Sequence, residues 1–299
     1  MKTRRVPTYI AWVSCALAAC PGAYGQSNPP ASEREVLVRV VTQWNDACSG
    51  SRRTSWDDMV RAWYNEITDG DAAPGGHGNR AWVADGFYQN GNMVDSDFTD
   101  PDLVAWGNDD GNDRLDDVDV AMLAFHGKDA NGSRWYGKMR VNEAGGGDCK
   151  AEQDHIQLGD TDLEFLHLSS CESMNEESWW PEWSDSFAGL HQIDGFHGLM
   201  WISGSYNDRY RDFADDAFDM SIADAWIDNH YDPAHWYEAQ SYDHCPVARG
   251  VGTGEEDCDD RMSNERYDHV YSDIAAEDIG FDEVIYISGC DPKSEGALP

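Results

Sequence analysis

Two short apolar runs constrain this chain most, because each delivers one reactive residue at its C-terminal end. Residues 118–125 lead into His126 and Gly127, and residues 163–168 lead into Ser169, Ser170 and Cys171. Apolar runs of this length between Asp-rich turns read as buried strands of a parallel sheet, and catalytic groups collect where such strands end. The pattern predicts an α/β fold with a mostly parallel central sheet. An imidazole and a thiol then meet at one sheet edge, although they are far apart along the chain.

The pairing has a chemical logic. A thiolate is a strong nucleophile, and a nearby imidazole favours its ionised form and can later protonate a leaving amine. His126 and Cys171 are therefore the candidate catalytic residues. His-Gly also occurs at 77–78, in a Pro/Gly loop, and at 197–198, just before the apolar run 199–202. His126 alone of the three reads as lying at a strand's end. His167, four residues before Cys171, reads as a core or sheet-face histidine. The competing reading of Cys171 is a buried or disulfide-bonded thiol.

The stretch Asp-Val-Ala-Met-Leu-Ala-Phe-His-Gly at 119–127, followed by Leu-Glu-Phe-Leu-His-Leu-Ser-Ser-Cys at 163–171, resembles the caspase-like cysteine peptidases, the group of caspases, legumain, clostripain, gingipains and separase. In that group one hydrophobic block precedes His-Gly and a second precedes a small residue and the nucleophilic Cys. Residues 198–204 look like the next core strand, and 213–226 resemble the helical segment that follows it. Gly-Leu-His at 189–191 resembles an uncharacterised bacterial group of caspase-like secreted proteins. The resemblance covers 36–290 and is sharpest over 118–226. It implies a three-layer caspase-hemoglobinase-like fold with helices on both faces of the sheet, and a peptide or protein substrate. It further implies attack by Cys171, with His126 as general acid and base and the backbone N–H groups of Gly127 and Cys171 holding the oxyanion. No cofactor is required.

Three other readings stand beside it. The first is a catalytically silent surface or binding module in which Cys171 is structural. The second, a metal-dependent hydrolase on His126, His167 and Asp residues, lacks a His-Glu-x-x-His pattern. Serine hydrolase chemistry lacks a Gly-x-Ser-x-Gly elbow.

The first residues read as an export signal over 1–25: Lys2, Arg4 and Arg5, then an apolar stretch too short and interrupted for a membrane span. Ala23-Tyr24-Gly25 looks like an ordinary cleavage site, whereas Leu17-Ala18-Ala19-Cys20 resembles a lipobox, which makes Cys20 the candidate for lipidation. Either route leads to an exported protein, whether periplasmic, extracellular or a cell-surface lipoprotein, and none makes it an integral membrane protein. Without residues 1–25 the balance of 21 Lys+Arg against 57 Asp+Glu becomes 18 against 57, since the segment holds three bases and no acid. That charge argues against nucleic acid or anionic membrane as partners.

The acids gather at 108–119. Asn108, Asp110, Asn112 and Asp117 are candidate calcium ligands, because oxygen-rich loops with a glycine turn suit Ca²⁺. Aligning Gly111 with the glycine of an EF-hand loop, however, places Trp106 at the first ligand position, so a solvated acidic turn is the alternative. Six cysteines follow the signal: Cys48, Cys149, Cys171, Cys245, Cys258 and Cys290. Cys245 and Cys258 form the natural local disulfide candidate; if Cys171 is free, another thiol must be free with it.

The remainder reads as one domain over 36–290, between a polar lead-in at 26–35 and a tail at 291–299. A strand or a helix fits 36–44. A helix is expected from Ser55 toward Ile67, a short strand at 82–88, a hairpin near 135–141, loop from 231 to 265 and a final strand at 281–288. Trp179, Trp180 and Trp183 either line a peptide cleft or pack back onto the sheet.

Overall fold

Branched residues at 36–41 favour the extended chain over the helix, and they open the central sheet. In the computed structural model, residues 3–8, 34–44, 48–71, 76–91, 93–112, 114–129, 134–142, 149–176, 183–234 and 241–299 are described. The elements are β1 (Thr3–Thr8), β2 (Glu35–Val40), α1 (Ser55–Ile67), β3 (Val83–Gln89), β4 (Val120–Ala124), β5 (Gly127–Asp129), β6 (Trp135–Lys138), β7 (Lys150–Glu152), β8 (Phe165–Ser169), β9 (Gln192–His197), α2 (Asn207–Asp216), α3 (Ile222–His230), β10 (Cys245–Gly252), α4 (Glu255–Asn264) and β11 (Phe281–Ile287). The large sheet runs β1-β11-β10-β9-β8-β4-β2-β3, and β5-β6-β7 form a small antiparallel sheet. Strands β3, β2, β4, β8 and β9 are mutually parallel, while β10, β11 and β1 add antiparallel pairings on one side. The molecule is thus an α/β protein with a large, mostly parallel sheet.

Strand order reverses around β2, whose successor β3 lies on one side and β4 on the other. In such sheets the crevice at the reversal, outside the C-terminal strand ends, is where ligands bind. His126 lies just beyond β4 at this reversal.

Helix α1 keeps its expected bounds. Trp56, Met59, Val60, Trp63 and Ile67 form its buried stripe, and Asp57 and Asp58 occupy its first turn, where the helix dipole favours acids. The described helices share one face of the sheet. Phe213 of α2 and Trp226 of α3 pack on His167, and Met262 of α4 fills the space above Gly250 of β10. The other face is covered by connections: Phe125 packs against Gly137 of β6 and against Trp135, which meets Trp183. Helices α1–α4 therefore share one face of the sheet, and the short 3-10 turn Trp183–Ser186 belongs to the connections on the other.

Other expectations are revised. Residues 198–204 are not a strand; the core strand there is β9, just upstream, and 213–226 belong to two helices. Polar β9 is buried throughout because its Asp194 pairs with His167. The segment 231–265, read as loop, contains β10 and α4. Strand β10 hides Arg249 against Asp282 (2.7 Å) and carries Pro246 as its second residue, close to the strand's start, where a missing N–H is tolerated. Helix α4 buries only Cys258, Arg261 and Met262 beneath an acidic surface, so it lacks a broad apolar stripe.

The first residues of the segment read as an export signal form β1, antiparallel to β11 from Thr3 opposite Ile287 to Thr8 opposite Asp282. Cys20 and the rest of that segment, the glycine run at 145–147, and Trp179 and Trp180 lie outside the described residues. At the other end the tail folds back: Leu298 is buried, and its N–H donates to the Cys290 carbonyl. No helix among the described residues is long and apolar enough to cross a membrane.

Candidate active site

Parallel pairing of β4 with β8 aligns Ala124 with Ser169. His126 and Cys171 each lie two residues past that pair, so the register brings them side by side at the C-terminal edge. The approach is close. A Cβ on Gly127 would fall 2.3 Å from the Cys171 carbonyl oxygen, the Ser170 hydroxyl and Trp135 Nε1. Trp135 Nε1–H donates to that carbonyl (3.2 Å), and Ser170 donates to the Phe125 carbonyl (2.9 Å). Gly127 is thus required by the packing of the two strand exits, in addition to the backbone role the resemblance gives it.

Disulfides join Cys48 to Cys149 and Cys245 to Cys290. The local pair Cys245–Cys258 does not form. Cys258 sits in α4 with its thiol toward the Gly250 carbonyl (3.5 Å), whereas β10 and the chain after β11 bring Cys290 to Cys245. Among the described residues, Cys171 and Cys258 are the free thiols, both buried. Disulfides persist in oxidising compartments, in keeping with an exported protein.

Beyond Cys171 the chain turns sharply. Glu172 takes a left-handed conformation (φ 57°), and its N–H donates to the Gly198 carbonyl (2.7 Å). Its carboxylate accepts from the Asp129 N–H (2.8 Å) and from the Ser294 hydroxyl (3.3 Å). A non-glycine residue in this region costs on the order of 1–3 kcal/mol, and such strain gathers at functional sites.

His126 is held by a loop that the strand pattern does not foretell. Its Nε2–H donates to the Ser51 carbonyl (2.7 Å), its ring stacks on Trp44 (4.5 Å between centroids) and its edge meets Trp56 (5.2 Å). Because a carbonyl only accepts, Nε2 carries the proton and Nδ1 is the basic nitrogen of the neutral ring. Desolvation, with Arg53 and Lys138 nearby, lowers the ring's pKa and outweighs the Ser51 bond. For Cys171, burial pushes the thiol up to about 11, against the opposing pull of the Met200 backbone N–H and of Arg53. No hydrogen bond joins the thiol to the imidazole. The resting pair is a neutral thiol beside a neutral ring.

Sequence reasoning missed Trp44, Ser51, Arg53 and Met200, which come from loops without a motif. Tyr242, stacked on Trp201 (4.6 Å), also lies within electrostatic reach of the thiol. Arg53 acts on both site residues, Lys138 acts on His126, and Glu172 acts on Cys171 in the opposite sense to Arg53.

The other histidines singled out in the sequence are engaged elsewhere. His197, at the very end of β9 rather than ahead of a strand, donates through Nε2 to the Gly296 carbonyl (2.8 Å) and accepts at Nδ1 from the Glu176 N–H (3.3 Å). His77 stacks on Phe218 beside Glu66. His167 is fully buried between Asp194 (2.8 Å) and the Tyr267 hydroxyl (2.8 Å), a core histidine as expected, and joins no metal set with His126. Trp183 packs inward, its N–H donating to the Ser173 carbonyl (2.9 Å).

Of the candidate calcium ligands, Asp110 alone joins a carboxylate cluster, with Asp116 and Asp160. Asn112 lines a separate cavity with Arg39, Tyr88, Asp97 and Arg114, and Asn108 lies against Gly111. Asp117 is outside the cluster.

No curated protein matches the chain. Residues 52–278, which contain both His126 and Cys171, match the family described as Domain of unknown function (DUF6345), and the chain belongs to that family.

Proposed function

We propose that the protein is an exported, caspase-like cysteine peptidase that cleaves peptide bonds with Cys171 as nucleophile and His126 as base and then acid. The observation that carries this reading is the placement of a free thiol and an imidazole, in register, at the C-terminal ends of adjacent parallel strands next to the strand-order reversal. Nδ1 of His126 takes the thiol proton as Sγ attacks the carbonyl carbon, and the same proton passes to the leaving amine. The Cys171 and Gly127 N–H groups receive the oxyanion. The Met200 N–H, already directed at sulfur, stabilises the thiolate. Because the thiol rests protonated, substrate must complete the site by drawing sulfur toward the ring, so that the proton leaves for Nδ1 as the bond to carbon forms. A signal sequence, with or without a lipid anchor at Cys20, delivers the enzyme outside the cytoplasm.

The high thiol pKa and the absence of a thiol–imidazole hydrogen bond favour a second reading, a silent binding module in which Cys171 is a packing residue. A mixed fluorogenic peptide library separates the two. The peptidase reading predicts turnover that falls at least 10³-fold in Cys171→Ala and His126→Ala alike. Wild-type turnover equal to that of both variants would leave the silent module.

A further inference from the structure

The opposite, N-terminal edge of β4 and β8 holds charge with no visible counterpart. Asp109, in the segment leading to β4, is 0% exposed, and neither carboxylate oxygen accepts a hydrogen bond from another residue. The charges it feels most are Asp110, Asp100 and Asp160. Asp100 uses Oδ1 to accept from the N–H groups of Asp102 and Leu103, which leaves Oδ2 buried without a partner; Asp110 Oδ1 is likewise buried and unpartnered. One carboxylate oxygen each from Asp110, Asp116 and Asp160 lie within 4.8 Å of one another.

Asp116 supplies the frame. It accepts from the N–H groups of Gly159 (2.7 Å), Thr161 (3.1 Å) and Leu163 (3.1 Å), wrapping the loop before β8 around the carboxylate that precedes β4. Asp116 and Asp160 also contact each other through their carboxylates, which requires a shared proton or a cation between them. An ionised carboxylate without a partner is costly in a dry interior.

The donor set is all oxygen, with no imidazole or thiolate to attract softer transition metals. Several carboxylates with unused lone pairs suit calcium, which accepts roughly six to eight oxygens in flexible geometry, better than magnesium, which retains water in a strict octahedron. We propose that Asp110, Asp116 and Asp160 hold one calcium ion whose charge also balances the buried, unpartnered carboxylates of Asp109 and Asp100 beside them, and that the ion clamps the loop leading into β4 to the loop leading into β8. The ion lies a full strand length from His126 and Cys171, so its role is to brace the two strands that present them. This site is independent of whether the pair is catalytic.

The test uses the disulfide-intact full chain, stripped with EDTA and titrated with calcium chloride by calorimetry, with thermal unfolding in parallel. One calcium per chain is expected, with a rise in Tm of several degrees and a much smaller rise with magnesium chloride at the same concentration. Asp109→Asn should weaken binding at least tenfold while leaving Tm in EDTA equal to or above that of the wild type, because it removes an uncompensated charge. Asp160→Asn, at the exposed rim, should weaken binding similarly without burdening the fold. A wild type that shows neither heat nor a Tm shift overturns the proposal, as does calcium binding of unchanged affinity in both variants.

Discussion

Gly127 carries two demands at once. The residue reads from sequence as a backbone donor beside a histidine, but its absent side chain also lets the exits of β4 and β8 touch: three atoms of Cys171, Ser170 and Trp135 lie 2.3 Å from where a Cβ would stand. None of them is the far end of a long flexible chain, so little can give way. Gly127→Ala should lower stability by about 2–4 kcal/mol in denaturant titrations, as overpacking of a tight contact does; a loss under 0.5 kcal/mol would mean that the strand exits are looser than described. His126 and Cys171 were legible because each ends an apolar run. Their surroundings were not, because Trp44, Ser51, Arg53 and Met200 belong to irregular segments whose approach depends on tertiary closure, helped by the Cys48–Cys149 bridge next to the Ser51 loop. The disulfide partner of Cys245 was missed for a related reason. Nearness along the chain pointed to Cys258, but that residue lies within a helix, and spatial nearness belongs to Cys290.

At the scale of elements, legibility followed the apolar pattern. Strands β4, β8 and β11 and helix α1 announce themselves by continuous or periodic hydrophobics, whereas the segment of β2 fitted a strand or a helix. Strand β9 does not, because Gln192, Asp194 and His197 are buried polar groups whose partners arrive from elsewhere: His167, the Asp194 carboxylate itself and the Gly296 carbonyl. Strand β10 is obscured by Arg249, which Asp282 of β11 neutralises and which also donates a hydrogen bond to the Ser184 hydroxyl in the connection before β9. In each case a hydrogen-bonded pair substitutes for an apolar contact, and single-sequence hydropathy counts the residues as surface. The calcium candidates shifted for the same reason. The sequence drew attention to the glycine turn at Gly111, whereas the buried and unpartnered carboxylate is its neighbour Asp109, and the cluster is completed by Asp160 from another loop.

Across the whole molecule, the net charge of −36 and the buried acids act in one direction. Burial raises Asp119 to about 7 and Asp109 to about 8, and holds Glu164 well above the ordinary carboxylate range. Groups whose folded pKa lies above the unfolded value support the fold below the unfolded pKa and lose that support as pH rises through the folded value. Desolvation lowers His77, His126, His230 and His244, which has the opposite sign and withdraws stability as pH falls below the usual histidine range. Between pH 6.5 and 8.5 the lowered histidines contribute little change, and His191, whose burial is outweighed by Glu265 and Asp273 so that its pKa is raised, acts in the same direction as the acids. Without calcium, Tm should therefore fall over that interval by a few degrees, on the order of 1 kcal/mol for each carboxylate that ionises; a Tm that rises from pH 6.5 to 8.5 in EDTA would contradict it. The described residues also include two free thiols, Cys171 at the sheet edge and Cys258 on the buried side of α4, both with raised pKa values, and their relative reactivity tests the central claim most directly. A peptidyl electrophile added to the native protein at pH 7.5, with the modified peptides mapped by mass spectrometry, should label Cys171, spare Cys258 and lose the Cys171 label in His126→Ala. Absence of label on Cys171, or equal labelling with and without His126, would contradict a coupled pair.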